Sequence, residues 1–231
     1  MTESTPVSRR ARPAKAPLSR ETIVAVGLRV LESEGMSALT MRRVARELDT
    51  GAASLYVYVD NRDDLLVAMV DSALAAVVYP TSGTWQEKVI AIVESQVAAL
   101  TRHRGLAVAS MGAIPASPNA SLVGEHLVAA LLESGVDKLT AAWGVDLIGL
   151  WASATAAEQT IYDERAANGL VEVDYLQRID EFYGSLDPAV YPLIHSMREV
   201  MLGGSGDERA AWGLNVILNG IVAAPVPGDA I

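Results

Sequence analysis

An all-α fold is what this sequence predicts, with a short three-helix head followed by a larger helical bundle. Three observations carry that expectation. Apolar residues recur at helical spacing in segment after segment, and no stretch alternates cleanly as a strand would. Ala, Leu and Val dominate while aromatics make up 5% of the chain, a mixture better suited to helices than to a β-sandwich. Cap residues such as Ser19, Thr40 and Asn61 precede periodic stretches, and Gly35 or Gly135 follows them, as helix boundaries require. The 231 residues, 51% hydrophobic and 20% charged, suffice for one or two domains with a sizeable core.

Residues 1–18 hold Arg9, Arg10, Arg12 and Lys15 among Pro, Ser and Thr with no apolar period, and read as a disordered basic arm. Its chemistry suits phosphates or a minor groove, or simply solvent. A helix over 19–35 follows, with Ile23, Val26, Val30 and Leu31 on one face. Residues 40–48 form a short helix capped by Thr40, with Val44, Ala45 and Leu48 inward and Arg42, Arg43 and Arg46 outward. Two arginines in a first turn oppose the helix dipole unless phosphates approach that end or solvent screens them. After the turn Asp49-Thr50-Gly51, a second short helix spans 52–58 around Leu55. Helices this short are marginal alone and need the helix 19–35 to pack on, which is the layout of a helix-turn-helix unit.

Asn61 caps a longer helix that stops before Tyr79-Pro80 and joins the head to the rest. The expected organisation is therefore an arm (1–18), a helix-turn-helix unit with its connecting helix (19–78), and a second domain (79–231). In that domain helical periods run from Thr84 to about His103, over 120–134, over 137–166, over 174–183, and over 190–202 and 206–223, with a loose tail PVPGDAI. The stretch 137–166 is apolar nearly all round in its first half, which implies burial on more than one face.

The chain has no cysteine, so disulfides, thiolate metal sites and cysteine nucleophiles are excluded. No signal peptide or apolar run of ~20 residues is present, and a cytoplasmic protein is expected. Net charge is −10, unevenly spread: residues 1–62 hold ten Lys/Arg against seven Asp/Glu, and residues 63–231 hold eight against twenty-one. A basic first quarter on an acidic body fits a localised phosphate-binding face, or a basic tail on an acidic enzyme. His103, His126 and His195 lack metal-ligand spacing, and neither a cofactor nor a metal is expected. Asp163-Glu164 and Asp180-Glu181 are adjacent pairs that point to different helix faces and make poor catalytic dyads. Gly203-Gly204-Ser205-Gly206 lacks the Lys and the strand of a phosphate loop.

Residues 20–78 resemble the TetR family of bacterial transcriptional repressors. The resemblance rests on I23-x2-V26-x3-V30-L31-x3-G35-x3-L39-T40-M41-R42-x-V44-A45-x2-L48 and on S54-L55-Y56-x-Y58-V59-x-N61-R62-x-D64-L65-L66. Trp85, His103-Arg104 and Gly135 are similar to the tetracycline-repressor branch over about 84–165. The resemblance implies an all-α homodimer whose helix-turn-helix heads bind a palindromic double-stranded DNA operator. It also implies a body that houses a small-molecule effector and the dimer interface. Arg42 would contact DNA at the start of its helix, with Thr40 beside it. Ala52, Ala53 and Ser54 would face base edges, and Tyr56, Tyr58 and Arg62 would contact phosphates. Two alanines offer only methyl contacts, so sequence discrimination is expected from Arg42, Ser54 and DNA shape. Where the tetracycline repressor holds its drug–magnesium complex through a histidine and a threonine, the matching positions are Ser110 and Ala113, so that ligand is not carried over. Asp49 stands where glycine is usual, and Asp tolerates a left-handed turn better than most residues.

In the body, an apolar pocket with a few polar groups is expected. Ser110, Glu158, Gln159 and Tyr162 are its candidate polar groups, with Trp151 and His103 beside them. Trp143, Phe182, Tyr183, Met111 and Met197 are expected in the core or the pocket lining. The dimer interface is expected between helix 137–163 and helix 207–222, where Val216, Ile217, Ile221 and Val222 form a surplus apolar side. The reading is a ligand-responsive regulator with no membrane contact. A small helical enzyme working in the apolar cavity is the alternative, although no nucleophile–base pair is in evidence.

Overall fold

A computed structural model describes residues 17–111, 116–169, 172–224 and 226. Most of the expected arm (1–18) and tail (225–231), and Ala113, lie outside the described residues. Among these residues all regular structure is helical: α1 (Arg20–Glu34), α2 (Met41–Glu47), α3 (Ala52–Leu55), α4 (Arg62–Leu74), α5 (Trp85–Thr101), α6 (Leu106–Ser110), α7 (Pro118–Glu133), α8 (Lys138–Ala167), α9 (Glu172–Ser185), α10 (Pro192–Leu202) and α11 (Gly206–Ala223).

The expected caps Ser19, Thr40 and Asn61 form, and Thr84, Asp137 and Ser205 act in the same way: each accepts a backbone N–H from the first turn of the helix that follows. Each satisfies a donor that the helix itself cannot. Asp49 does take a left-handed conformation, with φ 49°. The helix expected over 52–58 is shorter. It ends at Leu55, whose carbonyl accepts from both Tyr58 and Val59, and the chain turns there toward the extended Asn61.

The first helices pack around Ile23, Val30, Leu39, Val44, Leu55 and Leu65, all 2% exposed or less. Helix α4 crosses α1 with Leu65 and Met69 facing inward, then continues among the helices of the body. There α5, α7 and α8 form the main layer, with α6 and α11 against α8. Small residues on α8 permit close approach. A Cβ on Gly144 would lie 3.0 Å from Leu131 Cδ1 and 3.3 Å from Ile221 Cδ1.

Several large apolar residues are not where the sequence suggested. Trp143, Tyr162, Phe182 and Met197 are exposed rather than buried, whereas Met111, also exposed, lines the body's cavity as expected. The reason is tertiary. Helix α9 packs chiefly on α10, α10 buries no residue, and among the described residues no helix covers Trp143, Leu147 and Leu150 on the outer face of α8.

Candidate nucleic-acid interface and effector cavity

Helices α2 and α3 pack on each other and on α1, with Val44, Ala45 and Leu55 buried between them. That leaves the opposite face to solvent. Arg42 is exposed and pairs with no carboxylate among the described residues. Arg43, its neighbour, behaves differently. Its guanidinium bonds Glu34 and reaches Glu47 Oε2 at 2.8 Å. Of the two arginines that oppose the α2 dipole, one is thus neutralised within the fold and the other is left facing outward. Arg43 also holds the Glu34 carboxyl below the ordinary carboxylate range.

The tip is as plain as its sequence. Ala53 and Ser54 are exposed, while Ala52 is partly buried against the core. Tyr56 and Tyr58 are 52% and 37% exposed, and Val57 between them is 79% exposed. Val57 was not singled out as a site residue. It follows the end of α3 at Leu55, which leaves it exposed between the two tyrosines. Thr40 Oγ1 accepts the Arg43 N–H at 3.1 Å, which leaves its hydroxyl proton free to donate. Arg62 is half-buried, and its Nε and one terminal nitrogen donate to the carbonyls of Leu39 and Met36 at 2.8 and 3.1 Å. It ties α4 to the loop before α2, a role its sequence position did not reveal.

The body contains a cavity of about 370 Å³. Val67, Val70 and Leu74 of α4 form one wall, Gln96 and Leu100 of α5 another, and Val123, Leu127, Val145 and Leu150 from α7 and α8 the remainder. Of the six candidate effector residues, only Ser110 lines it. Glu158 and Tyr162 instead line a shallow cleft with Arg165, whose guanidinium lies 6.0 Å from the Tyr162 ring. Gln159 lines neither space. Trp151 turns toward α11, where its indole Nε1 would stand 3.5 Å from a Cβ on Gly213. His103 lies in the turn after α5 and its Nδ1 is 2.6 Å from Glu32 Oε1 of α1. The expected single pocket is therefore divided, because a 30-residue helix carries positions 151, 158, 159 and 162 past several different neighbours. Gln96 and Asp146, which do line the cavity, were missed: Gln96 sat inside an apolar period and read as core.

The cavity and the head share structure. Asp71 of α4 accepts the Asn119 backbone N–H at 2.7 Å and a side-chain N–H at 3.1 Å. Asn119 begins α7, beside cavity residues Ser117 and Ala120. The Glu32–His103 pair and the turn at Gly105, whose φ is 78°, lie against the end of α1. Among the described residues no cluster of His, Asp or Glu could hold a metal, and no helix is long and apolar enough to cross a membrane.

An exposed helix-turn-helix joined by one shared helix to a cavity-bearing helical body defines a class: a ligand-responsive, DNA-binding transcriptional regulator. Comparison with known proteins agrees. Residues 23–69 match the family described as bacterial regulatory proteins, tetR family, and residues 79–224 match the tetracyclin repressor-like C-terminal domain. The chain belongs to the TetR family of transcriptional regulators. Among similar sequences is the HTH-type transcriptional repressor DrrR1 of Streptomyces coeruleorubidus, 26% identical across 91% of this chain and 80% of that protein. Among solved structures, apo ActR of Streptomyces coelicolor superposes with a TM-score of 0.79 at 32% identity, covering 90% of this chain and 98% of that one. ActR in complex with actinorhodin gives a TM-score of 0.79 at 32% identity over 92% and 100% of the two chains. DrrR1 is described as a transcriptional repressor and ActR as a TetR family protein, and the helical-enzyme alternative finds no support among them.

Proposed function

We propose that the protein is a homodimeric repressor that sits on a palindromic operator in the bacterial cytoplasm and leaves it when a small molecule fills the cavity. Residues 19–78 are the reading head with its connecting helix, and residues 79–231 are the effector and dimer domain. The basic arm 1–18 reaches phosphates or the minor groove. Arg42 and Ser54 supply polar contacts to bases, Thr40, Tyr56, Tyr58 and the remaining guanidinium nitrogen of Arg62 contact backbone, and Ala52 and Ala53 offer methyl surface. The observation that carries this reading is that α4 is at once a packing partner of α1 and a wall of the cavity. A ligand that pushes on Val67, Val70 or Leu74 displaces the helix on which the head is mounted, so the effector needs different affinities for the two head positions.

The second copy is supported by unpartnered apolar surface on two neighbouring helices. Trp143, Leu147 and Leu150 of α8 and Trp212 and Val216 of α11 are each at least 45% exposed. A stripe of this kind marks an association surface. The expected site on 207–222 is refined, since Ile221 is buried within the chain and Val216 and Val222 are exposed. Dimerisation spaces two heads about one helical turn of DNA apart, ~34–36 Å, and a palindrome follows from the two-fold axis.

Fluorescence anisotropy with duplexes from upstream of its own gene tests the reading. Saturable binding should weaken as salt rises, with a log–log slope of about −0.9 per neutralised phosphate. Failure to bind any such duplex at low salt sinks it.

A further inference from the structure

The cavity's wall carries one charged side chain, Asp146, and an amide, Gln96, that the fold leaves unsatisfied. Gln96 is 8% exposed, and its Oε1 has no hydrogen-bond partner among the described residues. Buried acceptors in native folds are nearly always satisfied, so an orphan that borders an empty volume marks where a ligand group belongs. The other polar groups on the wall are Ser110, Ser117, Ser153 and Asp146. Ser110 already donates to the Ala107 carbonyl at 2.7 Å. Among the described residues Asp146 forms no ion pair and the cavity wall holds no Lys, Arg or His.

We propose that this cavity selects a neutral or cationic, largely apolar molecule that hydrogen-bonds the Gln96 amide, and that it rejects anions. Taking a carboxylate or phosphate out of water is offset best by a cation. Here it meets an amide, serine hydroxyls and an aspartate, with no cation among the described lining residues. A hydroxyl, amide or ammonium N–H satisfies Gln96, and an ammonium placed toward Asp146 gains further. The apolar remainder is held by the Val and Leu walls. The net negative charge of residues 63–231 acts in the same direction at longer range. This proposal rests on the reading of the cavity as the effector site and specifies what that site accepts.

The test is a matched series titrated into the full-length protein by calorimetry: 2-methylnaphthalene, 2-acetylnaphthalene, 2-naphthylmethanol, 2-naphthylmethylammonium and 2-naphthoate. The hydroxyl and ammonium probes should bind roughly threefold to tenfold more tightly than the hydrocarbon, the range of one net hydrogen bond. The ketone can accept from Gln96 Nε2 and should fall between the hydrocarbon and the hydroxyl probe, and the naphthoate should bind weakest. Gln96→Leu should erase the hydroxyl advantage while the hydrocarbon still binds. The exposed Asp146→Asn change should erase only the ammonium's margin over the hydroxyl. Naphthoate binding as tightly as the hydroxyl probe overturns the proposal, as does a hydroxyl probe that gains nothing over the hydrocarbon or a series in which nothing binds. The wild-type ranking needs no variant, so a misfolded Gln96→Leu protein does not shield it. Operator affinity measured on the same samples separates the two ideas. The expected ranking without any change in operator affinity keeps the ligand preference and overturns the cavity's regulatory role.

Discussion

Arg42, Arg43 and Arg62 share a side-chain chemistry and differ in what surrounds them. Arg42 faces water, Arg43 bonds two carboxylates, and Arg62 bonds two backbone carbonyls. The expected effects of their removal therefore differ in kind. Arg42→Ala should leave the melting transition unchanged and weaken operator binding by ~1–3 kcal/mol if it reads a base, measured by anisotropy. Arg62→Ala should destabilise the head by ~1.5–3 kcal/mol, the range for hydrogen bonds to a charged group, seen in thermal unfolding. An Arg62→Ala protein that melts like wild type but shows a flatter salt dependence would make Arg62 a phosphate contact and not a brace. Sequence pattern placed all three arginines on or beside a helix-turn-helix. It could not say which were occupied, because Glu34 lies nine residues from Arg43, and the Met36 and Leu39 carbonyls lie 26 and 23 residues from Arg62.

At the scale of elements, boundaries were legible and outward faces were not. Caps act within one turn, so Ser19, Thr40 and Asn61 could be read locally. The end of α3 at Leu55 was not, because the turn that follows is set by the approach to Asn61. The α1–α2 junction carries a pH dependence of definite sign. Arg43 lowers the Glu34 pKa from the ordinary 4.5 in the folded state. A depressed carboxyl contributes stability that is fully present above its unfolded pKa and is lost as pH falls through the lower folded value. Glu34→Gln should therefore be less stable than wild type at neutral pH, and the difference should close on acidification below pH 4.5. A gap in unfolding midpoint that persists into acid would remove Glu34 as its source.

For the whole molecule, the charge split and the exposed stripe on α8 and α11 belong together. In the proposed dimer the acidic body keeps DNA to the basic first quarter of the chain, and the apolar stripe brings two heads to one operator. Leu147→Glu, at a position 45% exposed, should leave the chain folded, shift it toward monomer in sedimentation, and weaken operator binding along with dimerisation. A dimer that survives this change would move the interface elsewhere. The extra apolar character of the first half of α8 was visible in the sequence as surplus, but periodicity does not distinguish a core face from an interface face.

By itself the sequence determined the helical class, the head with its cap residues, the left-handed Asp49, the segregation of charge and the family resemblance. These follow from short-range spacing, backbone preference and composition, which need no neighbour distant in the chain. Tertiary structure decided which arginine remains outward, that Ser110 joins Gln96 and Asp146 around one cavity while Glu158, Gln159, Trp151 and His103 go elsewhere, and that α4 serves head and cavity at once. Those outcomes depend on which helix faces meet, and they are settled by packing between residues tens of positions apart, where an apolar period looks the same whether it lines a core, a cavity or a partner.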